Sequence, residues 1–414
     1  MKHYFIILLL LPVLLAANEY TLDQLVDHGL EHSYQIRKQE LSNTGTKSAL
    51  NSARWNLLPN ADLSLGITQD LDPVSPKSGL SSSAGFELNK TISLNDAAYF
   101  NYRQNLVDSD MADLELQRSY SAYAYQVVQA YLDALSATKR KSALEENLQI
   151  QTRVFEQSRV LLQLGKTTPF EVKQNEIAVM NSRISIIQLE NTIQNARAKL
   201  FSLAQMQDQG FPLADLEVSV DQAIPAYSTE NMIELKLLEQ SLRKNELNLT
   251  QNKLDNLPKL TVSYGFSRRV SGEDFDFDRY QTVHNAGLNL SYSIWNFFTN
   301  KESSTRTKIA RQNTILSIED SRDQSRRAYD SATIELEYLL RLDELYRERL
   351  EQSTQQINIA EERYRLGMIQ LLELDKTRTE YIDADIQYNA NRYQIIQKQE
   401  DINHMLSNQI LGKW

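Results

Sequence analysis

The sequence predicts a mainly α-helical fold that carries four short β-strands and uses one pattern twice. The 12 glycines and 8 prolines leave two stretches free of both, between Asp96 and Leu164 and between Asn300 and Leu366. Each stretch is long enough for one uninterrupted helix of about 100 Å. The segment "AGLNLSYSIW", Ala286–Trp295, instead alternates apolar with small or polar residues, as a strand with one apolar face does.

The N-terminal segment predicts a secretory signal peptide over residues 1–17. Lys2 precedes an apolar run from Tyr4 to Leu15, which ends at the small residues Ala16 and Ala17. A buried N-terminal helix is the alternative. The sequence contains no cysteine, which excludes disulfides and a lipid anchor on an N-terminal cysteine. After this segment, no apolar run reaches the roughly 18 residues that a membrane-spanning helix needs.

Two structural repeats follow, residues 18–205 and 230–414, joined by a proline-containing connection at 206–229. Each repeat is predicted to contain a first helix, two strands, a long helix and a returning helix. In the first repeat the strands are expected at ~61–69 and ~83–94, the long helix at ~96–164 and the returning helix at ~169–205. In the second repeat these elements are expected at ~259–268, ~282–295, ~300–366 and ~370–410.

Each long helix is expected to end at a glycine, Gly165 or Gly367, because glycine tolerates the left-handed conformation just past a helix end. After Gly165, Thr168 is predicted to cap the returning helix, with Pro169 in its first turn and Glu171 closing a capping box. The returning helices show seven-residue repeats, which predict coiled-coil packing. These repeats are Val172, Val179, Ile186, Ile193 and Leu200, and then Leu374, Tyr381, Tyr388, Ile395 and Ile402.

The strands are each about ten residues long, the length of a transmembrane β-strand, and their apolar faces are predicted to meet lipid. Aromatic residues follow or precede the strands at one end of the hairpins, as a membrane-interface girdle would. They are Trp55, Tyr99, Phe100, Tyr102, Trp295, Phe297 and Phe298. The alternative is a small soluble sheet that buries its apolar face on the helices.

Four strands cannot close a barrel, and an open sheet edge would leave backbone groups unpaired in lipid. Several copies of the chain must therefore contribute strands to one sheet. Two copies would supply eight strands around a filled interior, whereas three would supply twelve and could leave a pore. The long helices would continue such a pore away from the membrane as a helical conduit.

The order of these segments resembles that of the TolC-like outer-membrane efflux proteins (outer membrane factors) of Gram-negative bacteria. The resemblance covers nearly the whole mature chain and includes the tip segments "LQLGKTTPFEV" and "YRLGMIQLLELDKTR". It implies a homotrimer with a 12-stranded β-barrel in the cell outer membrane and a periplasmic α-barrel. It also implies a periplasmic adaptor and an inner-membrane RND, ABC or MFS transporter as partners. The residues expected to contact the adaptor are Gly165, Lys166, Arg365 and Gly367.

The resemblance further implies that an aromatic residue before the second tip and acidic residues after it narrow the periplasmic entrance. Tyr364 and Glu373 fit these positions, whereas Ile369 and Lys376 depart from the family pattern. Asp375 lies close to them in sequence, and Glu171 is expected near the same ring. The alternatives are a capping role for Glu171 and a solvated first-turn carboxylate, favoured by the helix dipole, for Glu373.

Other functions find weaker support in the sequence. "HGLEH", His28–His32, matches a short zinc-peptidase pattern, but the other histidines are scattered. No phosphate-binding loop or nucleophile elbow is recognisable, so we expect no enzyme, no cofactor and no metal. The net charge of -10 argues against nucleic acid as a partner. The main rival function is a soluble periplasmic coiled-coil scaffold or adaptor.

Overall fold

A computed structural model describes residues 19–69, 80–216, 224–271 and 281–413. The predicted signal peptide at 1–17 lies outside these residues. The chain divides into two compact units. Unit 1 comprises Met1–Arg37, Ser119–Asn231 and Ser325–Trp414, and unit 2 comprises Lys38–Arg118 and Met232–Gln324.

The described residues form seven α-helices, four strands and a short 3₁₀ helix at Ile410–Gly412. The helices are α1 (Leu22–His32), α2 (Tyr34–Trp55), α3 (Ala97–Gln163), α4 (Pro169–Leu203), α5 (Ile233–Leu254), α6 (Asn296–Arg365) and α7 (Leu371–Met405). The strands are β1 (Asn60–Gln69), β2 (Leu80–Ile92), β3 (Lys259–Ser271) and β4 (Gln281–Ser291). The fold is therefore mainly helical, with the long antiparallel helices present twice.

The differences from the expected elements are local. The first helix of the first repeat is two helices, because the chain leaves helical geometry at Ser33, where ψ is 123°. Strand β2 ends at Ile92 rather than near residue 94. Strand β4 ends at Ser291 rather than near residue 295. A turn follows the strand, and α6 then starts at Asn296, four residues earlier than expected.

In unit 1, side-chain contacts place the four long-helix segments in the order α4–α3–α7–α6. Lys141 of α3 pairs with Glu190 of α4 at 2.9 Å. On its other side, α3 contacts α7 through Arg153 and Asp375. Helix α7 then contacts α6, where Lys398 pairs with Glu335 at 2.7 Å. The heptad residues of α4 and α7 are buried or half-buried along these contacts, as coiled-coil packing requires.

The main core of unit 1 surrounds Tyr131 in the middle of α3. Its ring is fully buried with Leu25 of α1 and Leu200 of α4. The Tyr131 hydroxyl donates to the backbone carbonyl oxygens of Tyr20 at 3.1 Å and Ala214 at 2.5 Å. These bonds tie the N-terminal segment and the connection between the repeats to α3, since a buried tyrosine hydroxyl requires a polar partner.

Unit 2 contains an antiparallel sheet in the order β1-β2-β3-β4. Its pairing register aligns the apolar residues of neighbouring strands, for example Leu63 with Phe86 and Leu260 with Leu290. One face of the sheet is therefore apolar along most of its length. The other face carries small and polar residues, such as the directly paired Ser263 and Gly287. Strands β1 and β4 are the two edges.

Helix α5 joins α3 and α6 of unit 2 largely through polar side chains. Gln104 of α3 donates to Asn248 of α5 at 2.7 Å. On the α6 side, Asn252 of α5 donates to Thr307 at 2.8 Å. Asn245 of α5 likewise donates to Thr314 of α6 at 3.0 Å. Directional bonds of this kind fix the axial register of the helices, which apolar contacts alone would leave freer.

Candidate functional site

The first tip of unit 1 closes around Gly165, which has φ +67°. The Lys166 amide donates to the Leu161 carbonyl at 2.8 Å, and the Gly165 amide donates to that of Leu162 at 3.0 Å. These two bonds form a Schellman motif, in which the residue at the glycine position must be left-handed. The chain then reverses into α4.

The predicted capping box at this tip is only half formed. The Thr168 hydroxyl accepts from the Glu171 amide at 3.2 Å, as predicted for the cap. In the reciprocal bond of a capping box the Thr168 amide would donate to the Glu171 carboxylate, but this carboxylate instead accepts from the Thr167 hydroxyl. Glu171 is thus engaged at the tip by a neighbouring side chain, and its other surface is exposed.

The second tip has the same backbone geometry around Gly367, with φ +70°. The Met368 amide donates to the Arg363 carbonyl at 2.8 Å, and the Gly367 amide donates to that of Tyr364 at 2.9 Å. Helix α7 then starts at Leu371 after Gln370, whose side chain makes no capping bond. The two tips therefore share a helix-end motif but differ in how the returning helix begins.

The predicted tip residues are exposed in the folded chain. Lys166 and Tyr364 are solvent-exposed, and Arg365 pairs with Glu362 at 2.6 Å on the helix surface. Exposed apolar side chains that were not among the predicted tip residues lie beside them: Leu164, Phe170, Leu366, Met368 and Leu372. In the sequence, their position next to the two tip glycines is the feature that could have identified them as tip residues. Together these residues make each tip a mixed apolar and charged surface.

The carboxylates after the second tip separate into exposed and buried groups. Glu373 is exposed. Asp375, predicted to contribute to the same constriction, is 1% exposed, and its Oδ1 lies 3.2 Å from a guanidinium nitrogen of Arg153. Its Oδ2 has no hydrogen-bond partner among the described residues. Burial raises the pKa of the Asp375 carboxyl, although Arg153 and Arg378 oppose this shift. Asp375 therefore joins α7 to α3 and does not belong to an exposed ring.

An open groove of about 1080 Å³ lies between α3 and α7 beside the second tip. Its lining includes the apolar residues Val154, Ile369 and Leu372 and the charged residues Glu373, Lys376 and Glu380. The departure at Lys376 thus places an ammonium between two carboxylates at the surface expected to form the entrance.

The apolar face of the unit 2 sheet is exposed to solvent in the single chain. Leu288 and Leu290 on β4 are 75% and 69% exposed, and Leu63 and Leu65 on β1 are similarly exposed. The alternative of a soluble sheet that buries this face on its own helices does not agree with these exposures. A contiguous exposed apolar surface of this kind requires a partner or lipid.

Most of the aromatic residues predicted to lie at the membrane interface are exposed at the end of the sheet where its strands connect to the helices. Trp55, Trp295 and Phe298 are strongly exposed, and Tyr99 and Tyr102 are partly so. Phe100 is an exception, because it is 3% exposed; its ring lies edge-on to that of Tyr99 at 5.5 Å. Phe100 therefore faces the interior of unit 2 and, unlike the other predicted aromatic residues whose side chains are described, offers no exposed surface at this end of the sheet. The side chain of Phe297 lies outside the described residues.

The histidines of "HGLEH" contact each other and the backbone. The rings of His28 and His32 stack at 4.1 Å, and the Nδ1 atoms of both lie 2.9 Å from backbone oxygens, those of Ala204 and His28 respectively. Within the described ranges, no group of three or more possible metal ligands is present. None of the helices in these ranges is both long and apolar enough to cross a membrane.

Comparisons with known proteins agree with this architecture. The model of the outer membrane efflux protein family matches residues 25–204 and 228–408, one match in each half of the chain. A comparison with curated protein sequences found no match.

Solved structures with a similar fold include three outer-membrane proteins. The Campylobacter jejuni CmeC outer membrane channel has a TM-score of 0.75 at 15% identity, covering 95% of this chain and 87% of that one. The Vibrio cholerae outer membrane protein VceC gives 0.76 at 12%, with coverages of 94% and 96%. The open state of the Neisseria gonorrhoeae MtrE outer membrane channel gives 0.75 at 15%, with coverages of 94% and 89%. Because the family model matches most of the sequence, the chain belongs to the outer membrane efflux protein family.

Proposed function

We propose that three copies of this chain form an exit duct in the cell outer membrane, with a periplasmic extension and a cleaved signal peptide. The duct would pass substrates from an inner-membrane pump across the periplasm and the outer membrane, in efflux or type I secretion. Membership of the outer membrane efflux protein family and the channels named above support this function.

The exposed apolar face of the four-stranded sheet is the observation that carries the proposal. Lipid is the solvent that such a face suits, and the edges β1 and β4 cannot remain unpaired there. Pairing the β1 edge of one copy with the β4 edge of the next satisfies both requirements. Three copies then supply the twelve strands of a barrel wide enough to leave a passage.

Two exposed apolar seams on the outer helices of unit 1 support the same assembly. The α4 seam consists of Phe170, Ile177, Met180, Ile184 and Ile187, spaced by three, four or seven residues. The α6 seam consists of Tyr338, Leu345, Ile359 and Leu366, spaced by seven or fourteen. Heptad spacing is typical of helices that pack on another helix. Since α4 and α6 are the two ends of the order α4–α3–α7–α6, each seam suits the opposite seam of a neighbouring copy.

The two tips would be the periplasmic end of the duct. We assign adaptor contact to Gly165, Lys166, Arg365 and Gly367, together with the exposed apolar residues beside them. Tyr364, Glu373 and Glu171 would surround the entrance, where threefold symmetry repeats each side chain three times. Rings of carboxylates favour cations. The adaptor and the RND, ABC or MFS transporter supply and select the cargo in this scheme.

Reconstitution tests the proposal directly. The mature chain, extracted from outer membranes in detergent, should have the mass of a trimer by light scattering. It should also produce discrete conductance steps in a planar bilayer. A monomer that stays dissolved without detergent and produces no conductance would support the soluble scaffold instead.

A further inference from the structure

Helix α7 exposes one narrow polar stripe, which begins next to the exposed Leu372 of its first turn. The stripe consists of Glu373, Lys376, Glu380, Asp383, Gln387 and Gln394, at spacings of three, four or seven residues. The residues between them are buried, as Leu374, Ile382 and Ala384 are, or half-buried. The stripe contains no large apolar side chain, in contrast to the α4 and α6 seams. It therefore suits water, whereas the two seams suit a neighbouring copy.

The charges of this stripe have no ion-pair partner within the described chain. Lys376 lies three residues after Glu373 and four before Glu380, yet it pairs with neither. Other charged residues of α7 do pair, as Arg378 does with Glu361 of α6 at 2.6 Å. The free charges are thus concentrated on the side of α7 that borders the groove beside the second tip.

We propose that Lys376 sets the ion selectivity of the duct by opposing the carboxylates on either side of it. This inference rests on the proposed function, in which Glu373 faces the entrance. Three copies would place a ring of ammonium groups about 4.5 Å along the helix from the Glu373 ring and about 6 Å from the Glu380 ring. Both separations are shorter than the Debye length of about 8 Å at physiological salt, so the rings act on a permeating ion together.

The effect of Lys376 on the stripe is large relative to the stripe's total charge. Glu373, Glu380 and Asp383 contribute three negative charges per copy, and Lys376 cancels one of them. Removing the lysine would raise the net negative charge of the stripe from two to three per copy, so the same wall would favour cations more than the wild type does.

The absence of cysteine from the sequence permits a site-specific test without removal of native thiols. Lys376→Cys is reconstituted as the full-length trimer, and the ratio of cation to anion permeability is measured from reversal potentials in a potassium chloride gradient. We expect this ratio to rise about two- to threefold. A thiosulfonate reagent with a trimethylammonium group should restore the wild-type ratio, whereas one with a sulfonate group should raise it further.

Lys199→Cys is the matched control. Lys199 is an exposed lysine of α4 with no ion pair in the described chain, and it lies 34 residues after Gly165, roughly 50 Å along the helix from its tip, whereas Lys376 lies 9 residues after Gly367. Its substitution and modification change the charge equally but should leave the permeability ratio unaltered. If the wild-type trimer conducts and the ratio of Lys376→Cys is unchanged in all three chemical forms, the inference is overturned while the duct stands. If the wild-type chain does not conduct, the proposed function is itself wrong and the role of Lys376 is lost with it.

Discussion

Gly165 and Gly367 show most clearly how a single residue determines the tips. Both have φ near +70°, and a Cβ on either would meet no atom within 4 Å. Backbone conformation, rather than space, therefore requires glycine at these positions. An L-residue with a side chain pays roughly 1–2 kcal/mol to adopt left-handed geometry.

We expect Gly367→Ala to lower the thermal stability of the protein by an amount equivalent to about 1 kcal/mol. The matched control is Gly45→Ala in α2, where the backbone is helical and the added Cβ also meets nothing within 4 Å. This control should raise stability by roughly 0.5–1 kcal/mol, because alanine is the better helix former. Thermal unfolding followed by circular dichroism measures both. If both substitutions changed the stability in the same direction, the left-handed conformation of Gly367 would not be the reason that glycine is required there.

The buried carboxyl of Asp375 predicts how the stability of the folded chain depends on pH. Burial raises the pKa of its carboxyl above 3.8, so the folded chain holds this proton more tightly than the unfolded chain does. The resulting stabilisation is fully present below about pH 4 and is lost as the pH rises through the folded-state pKa. Asp375→Asn does not titrate. We therefore expect the melting temperature of the wild type, relative to Asp375→Asn, to fall as the pH rises from 4 to 7.

Asp383→Asn provides the comparison for this measurement. Asp383 lies on the same helix, and its side chain is exposed in the folded chain. Its melting-temperature difference from the wild type should vary less over the same pH range. If the melting temperature of the wild type, relative to that of Asp375→Asn, stays constant or rises between pH 4 and 7, the contact with Arg153 outweighs the desolvation of Asp375.

At the scale of elements, the sheet allows a test that separates its two faces. Leu290 and Asn289 are neighbours on β4, and their side chains lie on opposite faces. We expect Leu290→Arg to reduce the amount of assembled protein in outer membranes, since an arginine facing mid-bilayer lipid costs about 2–4 kcal/mol. Asn289→Arg introduces the same group on the polar face and should be tolerated better. Immunoblots of outer-membrane fractions compare the two, and equal amounts would contradict a lipid-facing assignment for Leu290.

The elements were largely predictable because their signals are local. A seven-residue repeat, a glycine past a helix end and a two-residue alternation each follow from the backbone geometry of one element. Whether a side chain at the end of an element is buried or exposed was less predictable. Phe100 and Tyr99 are adjacent in α3, and only packing within unit 2 determines that Phe100 is buried.

The candidate site illustrates the same limit. Glu373 and Asp375 are two residues apart on α7, a spacing that places them on different sides of a helix. The burial of Asp375 against Arg153 depends on a contact with α3, 222 residues away in the sequence. Similarly, Glu171 fits a capping box by spacing, yet the Thr167 hydroxyl provides its partner. Competing neighbours of this kind are not visible in a pattern of residue types.

For the whole molecule, the order α4–α3–α7–α6 has consequences for how copies assemble. The α4 and α6 seams lie on different helices, so a ring in which each copy uses both seams is a heterologous, head-to-tail arrangement. Ile187 lies 22 residues after Gly165, and Leu345 lies 22 residues before Gly367. Both are therefore about 33 Å along their helices from a tip, at 1.5 Å per residue.

This arrangement predicts rescue by a second substitution. Ile187 and Leu345 are 64% and 61% exposed in the single chain, so a charged group at either should not unfold the protomer. We expect Ile187→Glu or Leu345→Lys alone to reduce the trimer fraction measured by light scattering in detergent, because each desolvates an unpaired charge at the seam. Both substitutions in one chain should restore trimers, since a head-to-tail ring places the new carboxylate of one copy beside the new ammonium of the next. The like-charged pair Ile187→Glu with Leu345→Glu should not restore them. If copies instead paired α4 with α4, identical charges would meet in every variant, and the opposite-charge pair would give no rescue.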